Sequence, residues 1–284
     1  MCGRYALTRA TAELVTQLDV AADRSAEPVR SVLRTPQRPA AGSADHNVGP
    51  AKNVPVVLER VSRPLPVGPP ADENSTPVRQ LRLMSWGLVP GWAKDPRIGG
   101  RMINARAETV LNKPAFRQSA LRRRLLVPAD GWYEWQVSAT AVDGQGRPLR
   151  QPFYVRRRDA DLLAFAGLYE FWRDPAAIDP QDPLAWLASF TIITTQAEPG
   201  LDRVHHRQPV VLERADWDAW LACDHRDPRR VASLLAPHTP GRFDAHPVDR
   251  VVGSPAANGP ELLRRVPSER LRGAVDPFTG EPLG

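Results

Sequence analysis

Five short stretches carry side chains that could do chemistry. The first is the start, Met1-Cys2-Gly3-Arg4-Tyr5. Cys2 is small enough for an initiator methionine before it to be trimmed, and trimming leaves an α-amine and a thiol on one residue. Reference pKa values of roughly 7.7–8.0 for the amine and about 8.5 for the thiol keep both partly nucleophilic near neutrality. Such a 1,2-aminothiol condenses with an aldehyde, first to a Schiff base and then to a five-membered thiazolidine. Alternatively the thiol attacks and the amine serves as base, as in an amino-terminal nucleophile hydrolase. Taken alone, Cys2 also fits a small residue of no special role.

The other four stretches follow at intervals. Trp86 to Trp92 (WGLVPGW) brackets a stiff Pro90-Gly91 turn with two indoles, which suits base stacking or wedging and equally suits core packing. Arg101 to Glu108 (RMINARAE) sets Asn104 beside Arg101 and Arg106. An amide can orient a sugar or imine and a guanidinium can fork onto phosphate, while the plainer reading makes Asn104 a helix cap. In Ala129 to Trp135 (ADGWYEW), Asp130-Gly131 makes a turn, after which strand periodicity puts Trp132 and Glu134 on one face and Tyr133 and Trp135 on the other. Apolar neighbours would raise the Glu134 pKa toward neutrality and suit it to acid/base work, against the alternative of a surface carboxylate. Last, Val204 to Leu212 (VHHRQPVVL) holds His205 and His206, adjacent residues expected to point in opposite directions so that one faces a pocket. The six histidines lack zinc-ligand spacing and the two cysteines, Cys2 and Cys223, form no CxxC, so no metal and no cofactor is expected. Cys223 reads as a core residue.

These groups need elements to hold them. Thr8 to Asp19 reads as a helix capped by Thr8. Strands are expected at 54–58, 78–86, 125–127, 132–137, 153–157, 162–169 and 190–195, each rich in β-branched or aromatic residues and bounded by Gly, Pro or Asp. Helices are expected near 105–111, after Pro114, around Trp217–Leu221 and from the Asp227-Pro228 cap. Strands and helices do not alternate, so a doubly wound sheet is excluded. The pattern points to a single α+β domain over 2–265, with a curved or barrel-like, mostly antiparallel β core and peripheral helices. Pro/Arg-rich surface insertions fall near 20–45 and 63–78, and 266–284 reads as a flexible tail.

The chain has 284 residues and a net charge of +6, unevenly spread. Residues 1–150 carry 22 Lys+Arg against 13 Asp+Glu, and residues 151–284 carry 16 against 19. A basic half of net +9 fits a polyanion, nucleic acid first, although a basic protein without such a partner stays open. Two cysteines are too few for a disulfide framework. With no apolar segment long enough for a membrane span or a signal peptide, the expected setting is the cytoplasm and the expected state a monomer.

Taken in order, MCGRY, HNVGP, WGLVPGW, INARAE, FRQSALRRRLLVPADGWYEW, IITTQA, HHRQP and HPVDRVVG resemble the SOS response-associated peptidase (SRAP) family, the abasic-site processing proteins, from Cys2 to about Arg265. The resemblance implies that an exposed Cys2, freed of Met1, reacts with the ring-opened aldehyde of an abasic site in single-stranded DNA. The product is a thiazolidine DNA–protein cross-link that protects the lesion in the DNA damage response. It implies that Asn104 orients the opened sugar and the amine, that Glu134 serves the acid/base steps, and that His205 helps open the sugar and assists reversal. It also implies DNA contacts at Arg4, Trp86, Pro90, Arg106 and Thr194, and a nucleoid-associated location in a bacterium. A lyase activity by β-elimination and the family's older label of thiol autopeptidase are further implications. Non-covalent single-strand binding is the alternative from a different class. The sequence departs from the family pattern at Gln136, Gln208 and Ser254, where relatives often carry Lys, Met or Arg, and Asn respectively. The insertions and the tail are also longer than in compact bacterial forms.

Overall fold

The computed structural model describes residues 2–61, 76–179, 181–222, 226–237 and 239–284. The 63–78 loop expected from its prolines lies almost wholly outside these residues, as does Cys223. In chain order the strands are β1 (Arg4–Leu7), β2 (Ala22–Asp23), β3 (Asp45–Val48), β4 (Asn53–Val61), β5 (Pro77–Trp86), β6 (Asn104–Arg106), β7 (Arg124–Ala129), β8 (Gly131–Val142), β9 (Pro148–Arg157), β10 (Leu163–Arg173), β11 (Trp186–Gln196), β12 (Arg207–Pro209) and β13 (Phe243–Pro247). Four short helices, α1 (Thr11–Gln17), α2 (Pro114–Arg122), α3 (Trp217–Leu221) and α4 (Pro228–Leu234), lie at the edges.

Two sheets form. In one, the order β13-β9-β8-β1-β3 places the amino-terminal strand between the Glu134 strand and β3. In the other, β4, β5, β11, β10 and β7 pair around a closed ring, sealed by the parallel contact of β11 with β5. Closure leaves these five strands no free edge along the contact. β11 is the hub: β10 and then β12 run along one edge, and β5 and then β6 along the other. The mostly antiparallel, barrel-like core expected from the strand pattern is present.

Period-two alternation fixes what lies between the sheets. From β1, β8 and β9, Tyr5, Leu7, Trp132, Phe153 and Val155 enter the main core, while Ala6, Tyr133 and Tyr154 face a second cluster with Val248, Val252 and Leu262. Trp132 meets Phe165 and Phe243 edge-on, with ring centroids 6.0 and 5.1 Å apart. Glu134 follows Trp132 on the inner side, so its carboxyl is buried between the two sheets.

Several local expectations are corrected. Thr8 does not cap α1, whose N-cap is Ala10. Instead its N–H and hydroxyl both donate to Asp130 Oδ2, at 2.6 and 2.8 Å. No helix forms over 105–111: β6 pairs there with β11 and then turns, because a parallel partner is available to its backbone. Residues 266–284, expected to be loose, lie against the body, with Leu271 and Ala274 buried and Val275 bridged to Pro282.

Candidate active site

Three elements bring the candidate chemical groups to the amino-terminal end of β1. Pairing of Arg4 with Tyr133 and of Tyr5 with Trp132 runs β1 antiparallel to β8, which carries the residue before Arg4 toward Glu134. Pairing of Asn104 with Ile192 holds β6 against β11, and Asn104 Nδ2 donates to the Cys2 carbonyl at 2.8 Å. The Oδ1 of the same amide is buried and has no hydrogen-bond partner among the described residues. The loop before β12 supplies His205, whose Nδ1 lies 3.9 Å from Glu134 Oε2.

Burial dominates the electrostatics. The Cys2 side chain is 0% exposed, so the exposed thiol implied by the resemblance is not what the chain shows with Met1 in place. Burial and then the Glu134 charge push its thiol pKa well up. Burial pushes the Glu134 carboxyl up to about 7. Burial also pushes the His205 imidazole down to about 4. His205 Nδ1 lies 3.0 Å from the Arg207 N–H and 3.2 Å from the Arg207 carbonyl, so the backbone of Arg207 fixes the ring through this nitrogen in either tautomer. The two histidines do not diverge as expected. They precede β12 on an irregular turn, and their rings lie 4.4 Å apart.

The proposed DNA contacts divide sharply. Arg4 is half-buried and reaches Asn47 Oδ1 at 3.5 Å, passing over Gly49, where a Cβ would come within 2.7 Å of Arg4 Nη1. Arg106 is exposed on the strand that carries Asn104. Trp86 is only 1% exposed. Its indole donates to the Ile103 carbonyl at 2.9 Å and packs between Tyr5 and Phe190, so base stacking by Trp86 is corrected to a core role. Pro90 is buried as well and cannot wedge between bases, whereas Trp92 of the same motif is 67% exposed. Thr194 is buried beneath β6, and its carbonyl accepts from Arg207 Nη2 at 2.6 Å. Arg207 also forks onto Glu108 at 2.7 and 2.9 Å, which makes it a tie between β12 and the turn after β6. The Arg122–Arg124 run is no patch: Arg124 is buried, donating to the carbonyls of Ala120, Trp220 and Ala222, and Arg123 pairs with Glu170.

Sequence reasoning passed over the HNVGP stretch as a source of working side chains. Asn47 Nδ2 is within 3.0–3.1 Å of the carbonyls of Val252, Ser254 and Ala257. Lys52 pairs with Asp45 and donates to the Asn47 carbonyl. Beside them a cleft of ≈930 Å³ opens between Arg4, Arg38, Gly49, Pro50 and Lys52. Arg38 belongs to the 20–45 insertion, so part of that segment borders the basic cleft. Among the described residues no group of three or more His, Cys, Asp or Glu side chains could hold a metal ion.

The family model for SOS response associated peptidase (SRAP) matches residues 1–255. The chain belongs to the SRAP family. It is 35% identical over 218 residues to the abasic site processing protein YoqW of Bacillus subtilis, covering 77% of this chain and 84% of that protein. It is 32% identical over 263 residues to YoaM of the same organism, also named an abasic site processing protein, covering 93% and 97%. To the chicken abasic site processing protein HMCES it is 31% identical, covering 77% of this chain and 65% of that one. A crystal structure of a protein from Bacteroides thetaiotaomicron shares the fold, with a TM-score of 0.69 at 21% identity over 93% of this chain and all of that one. Among the described residues of this SRAP chain, no helix is long and apolar enough to cross a membrane.

Proposed function

We propose that this SRAP protein captures abasic sites in single-stranded DNA as a covalent thiazolidine on Cys2, once Met1 is removed. A ring-opened abasic site presents an aldehyde. The Cys2 amine adds to it, the carbinolamine loses water to give an imine, and the thiol then adds across the C=N bond, its proton passing to nitrogen. Water is the only leaving group, and no electrons are transferred. From the imine, loss of the 3′ phosphate by β-elimination would give lyase activity as a side path.

The observation that carries this reading is the Asn104 amide. Its Nδ2 fixes the Cys2 carbonyl while its buried Oδ1 stands ready to accept from an amine on the same residue. Glu134, titrating near neutrality, can protonate the departing hydroxyl and then relay the thiol proton to the nitrogen. His205 supplies a neutral imidazole for opening the sugar and for reversal. The relatives' name and the net +9 of the first half support a DNA substrate. A resting thiol pushed up by burial and by Glu134 argues against a peptidase that needs a standing thiolate.

Met1-processed protein incubated with single-stranded DNA bearing one abasic site tests the proposal. The expected result is a complex that survives denaturant and is absent for Cys2→Ala. Binding without any such complex in the wild type would leave only a non-covalent binder.

A further inference from the structure

The segment 271–283 lies beyond the residues matched by the family model, yet it packs directly behind the site. Gln136 is the point of attachment. It stands two residues after Glu134 on β8, hence on the same face of that strand, and it is buried. Its Nε2 donates to the carbonyls of Arg203 and Val275 at 3.2 and 3.1 Å, and its Oε1 accepts from the Val275 N–H at 2.8 Å. One amide therefore joins the Glu134 strand, the turn that leads into His205, and the 271–283 segment.

The segment grips the same turn from outside. Arg203 Nη1 donates to the Pro277 carbonyl at 2.6 Å, and the Phe278 ring lies against Gly200, where an added Cβ would come within 2.7 Å of it. The turn passes this restraint on, since the His205 N–H donates to the Leu201 carbonyl at 3.0 Å. The segment holds its own shape through the Val275–Pro282 bridge and the Leu283 N–H donating to the Ala274 carbonyl at 2.9 Å.

We propose that residues 271–283 form a clamp which, through Gln136 as positioning residue, holds the His205 turn in register with Glu134. The proposal rests on the covalent-capture reading for its effect on rate, though not for its effect on the imidazole. Without the clamp, the His205 turn is tied to β8 by fewer bonds, and water gains access to the gap between the two side chains. Among the described residues, the other ionisable groups facing this pair are Cys2, His206 and Arg207.

Two full-length, Met1-processed variants test it. Gln136→Met keeps the side-chain volume and removes all three hydrogen bonds, and Val275→Pro removes a donor from the clamp alone. For each, three quantities are measured: the single-turnover rate of adduct formation on saturating abasic single-stranded DNA, the Kd for that DNA, and the NMR titration of the His205 imidazole. The expected result is a rate at least tenfold lower, a Kd within twofold of wild type, and a His205 midpoint at least one pH unit higher. An unchanged rate with an unchanged His205 titration overturns the clamp, and so does a parallel loss of rate and DNA affinity, which is what general loosening of the fold would give. If the wild type forms no adduct, the capture reading falls, and the His205 titration alone then decides for or against the clamp. Should Gln136→Met fail to fold, Val275→Pro carries the same three readouts.

Discussion

Glu134 Oε2 and His205 Nδ1 lie 3.9 Å apart, yet neither group is shifted as a member of an ion pair. An ion pair would lower the carboxyl and raise the imidazole, whereas burial raises Glu134 to about 7 and lowers His205 to about 4. The pair is therefore a contact between neutral groups over most of the acid range. Its two titrations act on stability in opposite senses. Between pH 4.5 and about 7 the folded protein keeps a Glu134 proton that the unfolded chain releases, so stability falls as pH rises through that window. Between about 4 and 6.5 the unfolded chain binds a His205 proton that the folded protein refuses, so stability rises with pH. The two slopes largely cancel from pH 4.5 to 6.5. Glu134→Gln is expected to expose the rising slope, and to be more stable than wild type at pH 8 by an amount on the order of 3 kcal/mol at most. Denaturant midpoints from pH 4.5 to 8 check this, and parallel curves for variant and wild type would count against a raised carboxyl.

The same carboxyl should govern rate. With Glu134 near neutrality, adduct formation is expected to follow an ionisation close to pH 7, and Glu134→Gln to remove that dependence while slowing capture about 10²-fold. Asn104→Ala is expected to slow capture to a similar degree, because the Cys2 carbonyl loses its donor and the amine its acceptor. DNA affinity should change by less than about threefold in both. A rate deficit that vanishes at saturating DNA would make these residues binding groups.

What the sequence disclosed follows from how local each signal is. The strands around Val54, Leu126, Trp132, Phe153, Phe165 and Ile192 were legible because alternation and β-branching act over a few residues. β6 was not, since RMINARAE pairs only because β11 lies beside it, a contact 88 residues away in the chain at Asn104–Ile192. Cys2, Asn104 and Glu134 were legible as chemical residue types, and their mutual placement follows from strand pairings that no local pattern encodes. Trp86 and Trp92 look equivalent in WGLVPGW, yet Trp86 ends β5 inside the core and Trp92 lies past the turn. Arginines such as Arg124 read as charge, although their carbonyl partners lie on α2 and around α3.

The HNVGP stretch holds the basic cleft in shape. Asn47 has no exposed surface, and its Nδ2 serves three carbonyls between Val252 and Ala257. Asn47→Ala leaves those carbonyls without that donor and frees Arg4, so a loss of about 2–4 kcal/mol in unfolding free energy is expected. Lys52→Met strands the buried Asp45 carboxylate and should cost about 3–5 kcal/mol near neutral pH. Denaturant titrations at pH 7 measure both losses, and a Lys52→Met protein as stable as wild type would count against the buried pair holding this region.

The two indoles of WGLVPGW separate stability from DNA binding. Trp86 packs against Tyr5 and Phe190 and donates to the Ile103 carbonyl, next to Asn104. Trp86→Ala is therefore expected to cost about 3–5 kcal/mol of stability and to loosen β6, with any loss of capture following from that. Trp92 stands exposed at the turn and contributes no such packing, so Trp92→Ala should leave the melting temperature within about 1 °C. If Trp92 stacks on a base flanking the lesion, its removal loses about 1–3 kcal/mol of single-strand affinity, roughly 5- to 150-fold in Kd. Fluorescence anisotropy with Cys2→Ala as background measures that affinity free of covalent trapping. A Trp92→Ala protein that binds as tightly as its parent would exclude Trp92 from the interface and leave Arg4, Arg38, Lys52 and Arg106 to carry it.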